Sequence, residues 1–248
     1  MWRRLSREDK ILLAGIPVLV IILLGGWLVW QAAATLDDIE ARTLDLSNVA
    51  VMAGEHVVLV LVCTIVVVLT AVPVGILLTR GSLRRLATPV TFIANMGQAA
   101  PVIGVIVLLA MWWGFGATTA VVSLWIYAFL PVLANTIAAL RSVDPELIEV
   151  ARGISMSPWQ VLFRVELPMA LPVIMVGVRT ALVLLVGAGA FATFIDAGGL
   201  GTLITTGISL YRFPILISGA LLIGTLALLI EWVGRLCEAI LAPKGVTA

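Results

Sequence analysis

Three carboxylates lie close together in the middle of the chain, at Asp144, Glu146 and Glu149. Grouped carboxylates can hold a divalent metal and activate a phosphate-bearing substrate, which is the chemistry that a membrane-bound lipid transferase would need. Side chains meet on a helix at spacings of three or four residues, and these three positions do not all share one face. Their spacing therefore disfavours a catalytic metal site.

Other enzyme chemistries lack their residues. A nucleotide-binding loop needs a lysine between glycine and serine or threonine, but the two lysines, Lys10 and Lys244, follow other residue types. One histidine and two distant cysteines, Cys63 and Cys237, are too few for the usual zinc or haem site. We therefore predict a chain that is not an enzyme, that binds no metal or cofactor of its own, and whose cysteines are unpaired.

The composition is that of a membrane protein. Of the 248 residues 62% are hydrophobic and 12% are charged, with a mean hydropathy of +1.18. Soluble domains are about 45–50% apolar and about 25% charged, so this chain carries more apolar surface than a soluble core can bury. Five or six stretches are long enough to cross about 30 Å of hydrocarbon. We place them at about Ile11–Trp30, Val51–Thr79, Val90–Trp113, Thr118–Leu140, Leu171–Ile195 and Pro214–Ala239.

The basic residues orient these spans. Most of the 15 lysines and arginines fall on one side, which the positive-inside rule assigns to the cytoplasm, so both termini are predicted to be cytoplasmic. Arg42 and Arg212 fall on the other side, and Arg179 lies inside the fifth span. The first apolar run, about 20 residues, exceeds the 7–15 of a signal peptide. We therefore predict an uncleaved anchor, with a cleaved signal peptide as the alternative.

Glu55 and His56 stand together at the predicted outer end of the second span. We interpret them as a polar pair at the membrane interface, with a role in a gate or in proton transfer as the alternative. A coupled proton or sodium transporter would place paired carboxylates at membrane depth. We find no such pair in the sequence.

The segment from Asp144 begins with strong helix-start signals. Asp144 is a good N-cap, Pro145 is favoured at the first helical position, and Glu146 adds negative charge in the first turn. These residues predict a short helix from Pro145 to about Gly153.

A second start signal follows at once. Ser157 is an N-cap, Pro158 takes the first helical position, and Gln160 completes a capping box. We predict that this helix runs to about Val165 and stops before Pro168. Two capped helices exceed what a simple connection needs, so the segment is predicted to be a docking surface for a soluble partner on the cytoplasmic side.

At these residues the chain resembles the permease subunits of ABC importers. Their EAA loop has the pattern Glu-Ala-Ala, three residues, Gly, nine residues, Ile-x-Leu-Pro. Here EVA at 149–151 is followed at the same spacings by Ser155 and by VELP at 165–168. Because Ser155 replaces the glycine of the pattern, Gly153 is a candidate for supplying the flexible turn instead.

The resemblance reaches beyond the loop, over about residues 55–241. The stretches GQAAPVIGVIVLLAMWWGFG at 97–116 and IDAGGLGTLITTGI at 195–208 are similar to the osmoprotectant branch, whose members import glycine betaine, carnitine or choline. Methionine permeases share a similar outer loop, so methionine or another amino acid is the alternative substrate. A membrane scaffold without transport, or a membrane enzyme, is a further alternative.

The resemblance implies an all-α membrane protein of the type I importer fold, like that of methionine permeases, with a coupling helix between spans four and five. It divides the chain into an anchor helix and outer loop (1–50), a transmembrane domain (51–241) with a coupling segment at 144–168, and a cytoplasmic tail (242–248). The implied contacts to the ATPase are Glu149, Val150, Ala151, Arg152, Gly153, Ser155 and Trp159.

The resemblance also implies partners in a bacterial or archaeal cytoplasmic membrane. These are a dimeric cytoplasmic ATPase that binds ATP and Mg²⁺, a second permease subunit, identical or homologous, and an extracytoplasmic substrate-binding protein. Membrane lipid surrounds the chain, and nothing indicates nucleic acid. The sequence leaves the substrate, and the choice between two identical and two different permeases, open.

Two further groups of residues are candidates on the outer side. The glycine-rich stretch at 197–201 lies where no ATP is available, so we predict close packing or a turn that moves with an outer gate. Four aromatic residues offer faces over which a quaternary ammonium could pass by cation–π contact, with lipid-interface packing as the alternative. The gate residues are Gly198, Gly199 and Gly201, and the aromatic residues are Trp112, Trp113, Trp125 and Tyr127.

Overall fold

The computed structural model describes residues 7–241, and the predicted tail at 242–248 lies outside them. Within the described range the chain forms helices and turns and no β-strand. The helices are α1 (Arg7–Ala33), α2 (Asp38–Thr43), α3 (Leu46–Leu77), α4 (Ala87–Ala99), α5 (Val102–Trp113), α6 (Ala117–Arg141), α7 (Pro145–Gly153), α8 (Pro158–Val161), α9 (Leu167–Gly189), α10 (Gly201–Ser209) and α11 (Phe213–Leu241). Short 3₁₀ turns at Gly81–Leu86 and Ala190–Ile195 and a π turn at Leu162–Glu166 complete the path.

Five of the predicted spans are continuous helices that are long and apolar enough to cross a membrane. They are Ile11–Ala33, Leu46–Leu77, Ala117–Arg141, Pro158–Ile195 and Phe213–Glu238. The all-α membrane fold with about six spans is therefore confirmed.

The third span is not the straight helix predicted over Val90–Trp113. It consists of α4 and α5, which meet at an angle of 94°. Pro101 disfavours the helical conformation in the residue before it, and Ala100 accordingly has an extended backbone with φ −65° and ψ 143°. This proline therefore breaks the span.

The bent pair still joins opposite ends of the helix bundle. Just before the pair, Arg80 contacts Glu166, which lies beside the segment between α6 and α9. Just after it, the Gly116 N–H donates to the Ile195 carbonyl, 2.8 Å away, at the far end of the fifth span. The pair is therefore a broken span and not a re-entrant loop.

Helices α3, α6 and α9 pack against one another in the centre of the bundle. Two glycines permit the close contacts with α6. A Cβ on Gly75 would lie 2.7 Å from the Thr136 Cγ2, and one on Gly177 would lie 2.8 Å from the Pro131 carbonyl oxygen. Small residues serve helix contacts in this way in membranes, where packing replaces the hydrophobic effect between helices.

Helix α1 attaches to α11 through two tryptophans. The Trp27 Nε1 donates to Ser218 Oγ at 2.9 Å, and the Trp232 Nε1 donates to the Leu13 carbonyl at 2.9 Å. One bond lies near each end of α1. Much of the rest of α1 is exposed apolar surface, as expected for a helix that faces lipid.

Arg179, the charge predicted inside the fifth span, pairs with carboxylates of the last span. Its Nη1 lies 3.0 Å from Glu231 Oε1 and its Nε lies 3.6 Å from Glu238 Oε2. Arg235 Nε lies 2.7 Å from the same oxygen of Glu231. The charges therefore offset one another and tie α9 to α11.

Candidate functional site

Helix α7 begins and ends where the sequence predicts. The Asp144 carboxylate accepts from the Glu146 N–H at 2.9 Å, and Pro145 is the first helical residue. This cap satisfies an N–H group that has no partner within the helix. The predicted helix from Pro145 to Gly153 is confirmed.

The second helix has the predicted start but not the predicted end. Ser157 and Gln160 form the capping box, with the Ser157 N–H 2.8 Å from Gln160 Oε1. The helix does not stop near Val165, because a π turn carries it into α9. In that turn the Leu167 N–H donates to the Leu162 carbonyl five residues earlier, which widens the backbone just before Pro168 and accommodates its ring.

The turn between the two helices depends on Ser155, not on Gly153. Gly153 is the last residue of α7, whereas Ser155 has φ +63°. The Ser155 N–H donates to the Arg152 carbonyl at 2.9 Å and the Met156 N–H to the Ala151 carbonyl at 3.2 Å. These two bonds form a Schellman motif, whose left-handed position is usually glycine. Ser155 therefore holds the conformation that explains the glycine of the EAA pattern.

The segment presents an exposed apolar surface on α7 and on the first turns of the helix that continues into the fifth span, and we call this surface the docking face. Trp159 is 70% exposed and stacks on Phe163 with ring centroids 5.8 Å apart. Val150 and Ile154 are also exposed. An exposed apolar patch of this kind marks a site of contact with another protein or with membrane. The docking face consists of Leu147, Val150, Ile154, Trp159 and Phe163.

The predicted coupling residues divide between this surface and the bundle. Ala151 is buried and faces the spans. The sequence analysis did not include Ile154 and Phe163; the spacing of Phe163 from Trp159, one helical turn, was the available signal. The other predicted residues, Glu149, Val150, Arg152, Gly153, Ser155 and Trp159, are exposed.

An ion pair anchors the end of this segment to the second span. The Arg80 guanidinium donates to both carboxylate oxygens of Glu166, with Nη1 3.0 Å from Oε1. The Glu166 side chain is only 4% exposed. Paired guanidinium and carboxylate groups have geometric specificity as well as strength. The end of α3 and the start of the fifth span are therefore held together.

On the opposite side of the bundle, the glycine-rich loop contacts α3. Gly198 and Gly199 have φ +75° and +92°, and the Gly199 N–H donates to Glu55 Oε2 at 2.9 Å. Gly201 serves a different purpose, since a Cβ there would lie 2.0 Å from the Ala190 carbonyl oxygen. The three predicted gate residues thus lie in one tightly packed loop.

His56 is fully buried and lies against Gly199 of the glycine-rich loop. Its predicted place at the membrane interface stays a prediction. Its Nε2 lies 2.9 Å from the Val186 carbonyl oxygen, and no group within residues 7–241 forms a hydrogen bond with Nδ1. The Ala190 N–H donates to the Gly187 carbonyl, three residues earlier, where α9 passes into the 3₁₀ turn. In an α-helix it would donate to the Val186 carbonyl. This change leaves the Val186 carbonyl free to accept from His56, whose Nε2 therefore carries a proton.

The four predicted aromatic residues occupy three different settings. Trp112 and Trp113 are exposed at the end of α5. Trp125 donates from Nε1 to Thr70 Oγ1 at 2.8 Å, in the contact between α6 and α3. Tyr127 is half-buried against the core. Their role in a substrate path stays a prediction.

A charged contact also links α2 to the residue just before α11. Arg212, just before α11, contacts the Asp37 carboxylate and lies 3.9 Å from Glu40 Oε1. The pKa of Asp37 lies below its ordinary 3.8, chiefly because its carboxylate accepts from the Glu40 N–H, with Arg212 adding to the effect. The contact fixes α2 to the loop before α11.

Residues 71–242 match the family described as binding-protein-dependent transport system inner membrane component. The chain belongs to this family. It is the membrane permease of a transport system, and the recognition of an ABC importer permease is confirmed.

Individual relatives agree with this assignment. The permease is 38% identical to the choline transport system permease protein OpuBB of Bacillus subtilis (strain 168), over 77% of this chain and 88% of that protein. It is 38% identical to the osmoprotectant import permease protein OsmW of Salmonella typhimurium, over 85% of this chain and 100% of that protein. A solved inward-facing structure of the MetNI methionine ABC transporter has the same fold, with a TM-score of 0.71 at 23% identity, over 84% of this chain and 100% of that one.

Proposed function

We propose that this permease forms the membrane path for osmoprotectant quaternary amines such as glycine betaine, choline and carnitine, and that a separate ATPase drives it. The observation that carries the proposal is the docking face, an apolar surface on the two capped helices that follow the fourth span. The substrate class is supported by the relatives, several of which are named as choline, carnitine or osmoprotectant permeases.

The docking face is the proposed contact with the ATPase. The groove of the ATPase would receive Trp159 and Phe163, with Glu149 and Arg152 adding charged contacts. In this account Ser155 shapes the turn and Gly153 ends α7. Val150 contributes to the docking face, and Ala151 connects it to the bundle. ATP and Mg²⁺ bind the partner, so hydrolysis takes place outside this chain.

Rigid connections transmit closure of the ATPase to the spans. The helix runs without interruption from Pro158 through the π turn into α9, and Arg80 joins the same region to α3. A displacement of the docking face therefore moves the second and fifth spans together. Coupling of this kind is allostery, because ATP and solute each favour one of two arrangements of the same bundle.

The proposed orientation places the docking face and both termini in the cytoplasm. The distribution of arginines supports it, since Arg80, Arg84, Arg141 and Arg152 all lie on the side of the docking face. The glycine-rich loop then faces the extracytoplasmic binding protein. A second permease subunit, identical or homologous, completes the path.

Methionine or another amino acid is the second candidate substrate. The likeness of the fold to that of the MetNI transporter favours it. Both candidates use the same coupling mechanism and differ only in the solute.

The test is reconstitution of this permease with its genomically neighbouring ATPase and binding protein in liposomes. ATP hydrolysis is measured with glycine betaine, choline, carnitine and methionine in turn. The proposal predicts stimulation by one or more quaternary amines and not by methionine. Stimulation by methionine alone would contradict the proposed substrate class. An assembled complex whose ATP hydrolysis no solute stimulates would contradict the proposed transport function.

A further inference from the structure

Four polar side chains form one stripe along α4, the first half of the broken span. Thr88, Thr91, Asn95 and Gln98 follow one another at three- or four-residue spacings. At 100° per residue these positions fall within an arc of about 80° on the helix surface. Ile93 lies on the opposite face and is 67% exposed. The helix is thus amphipathic although it belongs to a membrane span.

The polar groups of the stripe lack hydrogen-bond partners in the part of the chain that the structure describes. Within residues 7–241, none of its four side chains donates or accepts a hydrogen bond. Many hydroxyls in the other spans are satisfied locally by the carbonyl four residues earlier, as at Thr64, Thr136 and Thr225. An unpaired amide or hydroxyl is costly in hydrocarbon, so polar side chains in spans face protein or a water-filled cavity. The stripe is therefore not a lipid-facing surface.

A cavity of about 540 Å³ lies along the stripe, between α4 and α6. Thr88, Thr91 and Asn95 line it from α4, and Ala134 lines it from α6. Arg141, the last residue of α6, also lines it, close to the segment that carries the docking face. The cavity thus extends from within the span to the side of the docking face.

We infer that this stripe is one wall of a water-filled path along which the transported solute crosses the docking-face half of the membrane. The unpaired polar groups and the adjacent cavity support a stripe that faces water rather than a second permease subunit. Only the identity of the solute rests on the proposed function.

The chemistry of the wall suits a quaternary amine. Such a cation has no N–H group and needs no acceptor, while the carboxylate of glycine betaine or the hydroxyl of choline can accept from threonine hydroxyls and the Asn95 amide. The residues that line the cavity include no carboxylate. Apart from Arg141 at the docking-face end, the lining carries no charge. A solute would therefore be held weakly along the rest of the path, as passage requires, because a path must release what it admits.

The test is cysteine labelling of the full permease, assembled with its ATPase and binding protein in liposomes. In a Cys237→Ser background, Thr91→Cys and Asn95→Cys are treated with a water-soluble methanethiosulfonate that carries a trimethylammonium group. The native Cys63 is fully buried. Ile93→Cys is the matched control on the same helix, and Thr88→Cys replaces either stripe variant that fails to assemble. Modification is followed by mass spectrometry.

The stripe cysteines are expected to react on the order of tenfold faster than Ile93→Cys, because a thiol ionises and reacts where water reaches it. Equal rates, or stripe cysteines that stay unmodified, would overturn the inference, since the stripe would then face lipid or a protein interface. Choline is added in a second arm. Slower labelling of the stripe in the presence of choline supports choline as the substrate. Unchanged labelling counts against choline but does not affect the inference that the path is filled with water.

Discussion

Glu55 and Gly199, 144 residues apart in the chain, are joined by a hydrogen bond of 2.9 Å from the Gly199 N–H to the Glu55 carboxylate. The neighbouring His56 meets the same region, with its Nε2 2.9 Å from the Val186 carbonyl oxygen. The start of α3 is therefore fixed to the end of α9 and to the loop that follows. Opening on this side must either break these contacts or move α3 and the loop as one unit.

Replacing Glu55 tests the strength of this connection. Glu55→Ala should lower the free energy of unfolding by about 0.5–1.5 kcal/mol, because one hydrogen bond of an exposed side chain is lost. Glu55→Gln keeps an acceptor oxygen and should lose less. Thermal unfolding in detergent checks both variants. Equal stability of Glu55→Ala and wild type would contradict the prediction.

Gly199 should not tolerate a side chain. Its φ is +92°, and a Cβ would lie 3.1 Å from His56 Nδ1. Gly199→Ala is expected to lower stability and uptake through backbone strain, which costs about 1–3 kcal/mol at such positions. Gly187→Ala is the control, because nothing lies within 4 Å of a Cβ there and the residue is helical. If both alanine variants behave alike, the loop is not tightly packed against His56.

Ser155 holds the left-handed conformation in which an L side chain costs about 1–2 kcal/mol. Ser155→Gly should therefore preserve coupling and raise the unfolding temperature slightly. Ser155→Val should impair assembly with the ATPase, because a β-branched residue fits that conformation poorly. Assembly is measured by co-purification. A valine variant that assembles normally would show that the turn is not required for docking.

Arg80 compensates a carboxylate that is almost completely buried. Arg80→Ala leaves Glu166 without a partner, and breaking a buried pair in this way costs about 3–5 kcal/mol. Arg84→Ala is the control, since Arg84 is exposed in the next turn of the chain. Thermal unfolding should separate the two variants clearly. The double variant Arg80→Ala with Glu166→Gln should recover part of the loss.

The lowered pKa of Asp37 predicts that the stability of the protein decreases in acid. Its folded pKa lies below 3.8, so its ionised form is favoured by folding, and this contribution is present above about pH 4. The contribution is lost as pH falls through the folded pKa. Asp37→Asn should therefore unfold with a weaker pH dependence than wild type below pH 4 and an unchanged one near neutrality. Melting curves across that range provide the measurement.

Local signals in the sequence were sufficient for the coupling segment. The caps at Asp144 and Ser157 formed as predicted, because an N-cap depends on a side chain and on backbone groups two or three residues away. The family assignment rested on the same short stretch.

The sequence analysis missed features of the structure that depend on distant residues or on a single proline. Hydropathy cannot detect that Pro101 breaks an apolar span, although the proline itself was visible. The burial of His56 depends on Val186, which is 130 residues away and accepts only because α9 changes its hydrogen bonding. The sequence analysis assigned the flexible turn to Gly153, because glycine is the residue that most often adopts the left-handed conformation. In the structure Gly153 is still helical, and Ser155 adopts that conformation instead.

The central claim is that the docking face is where an ATPase drives this permease. Its most direct test is ATP-driven solute uptake and ATPase co-purification for Glu149→Arg, a charge reversal on the exposed surface of α7. Asp38→Arg, the same reversal on the exposed surface of α2, is the control. The account predicts that Glu149→Arg loses the ATPase and uptake together while Asp38→Arg keeps both. An ATPase that binds Glu149→Arg as it binds wild type, with uptake intact, would contradict the account.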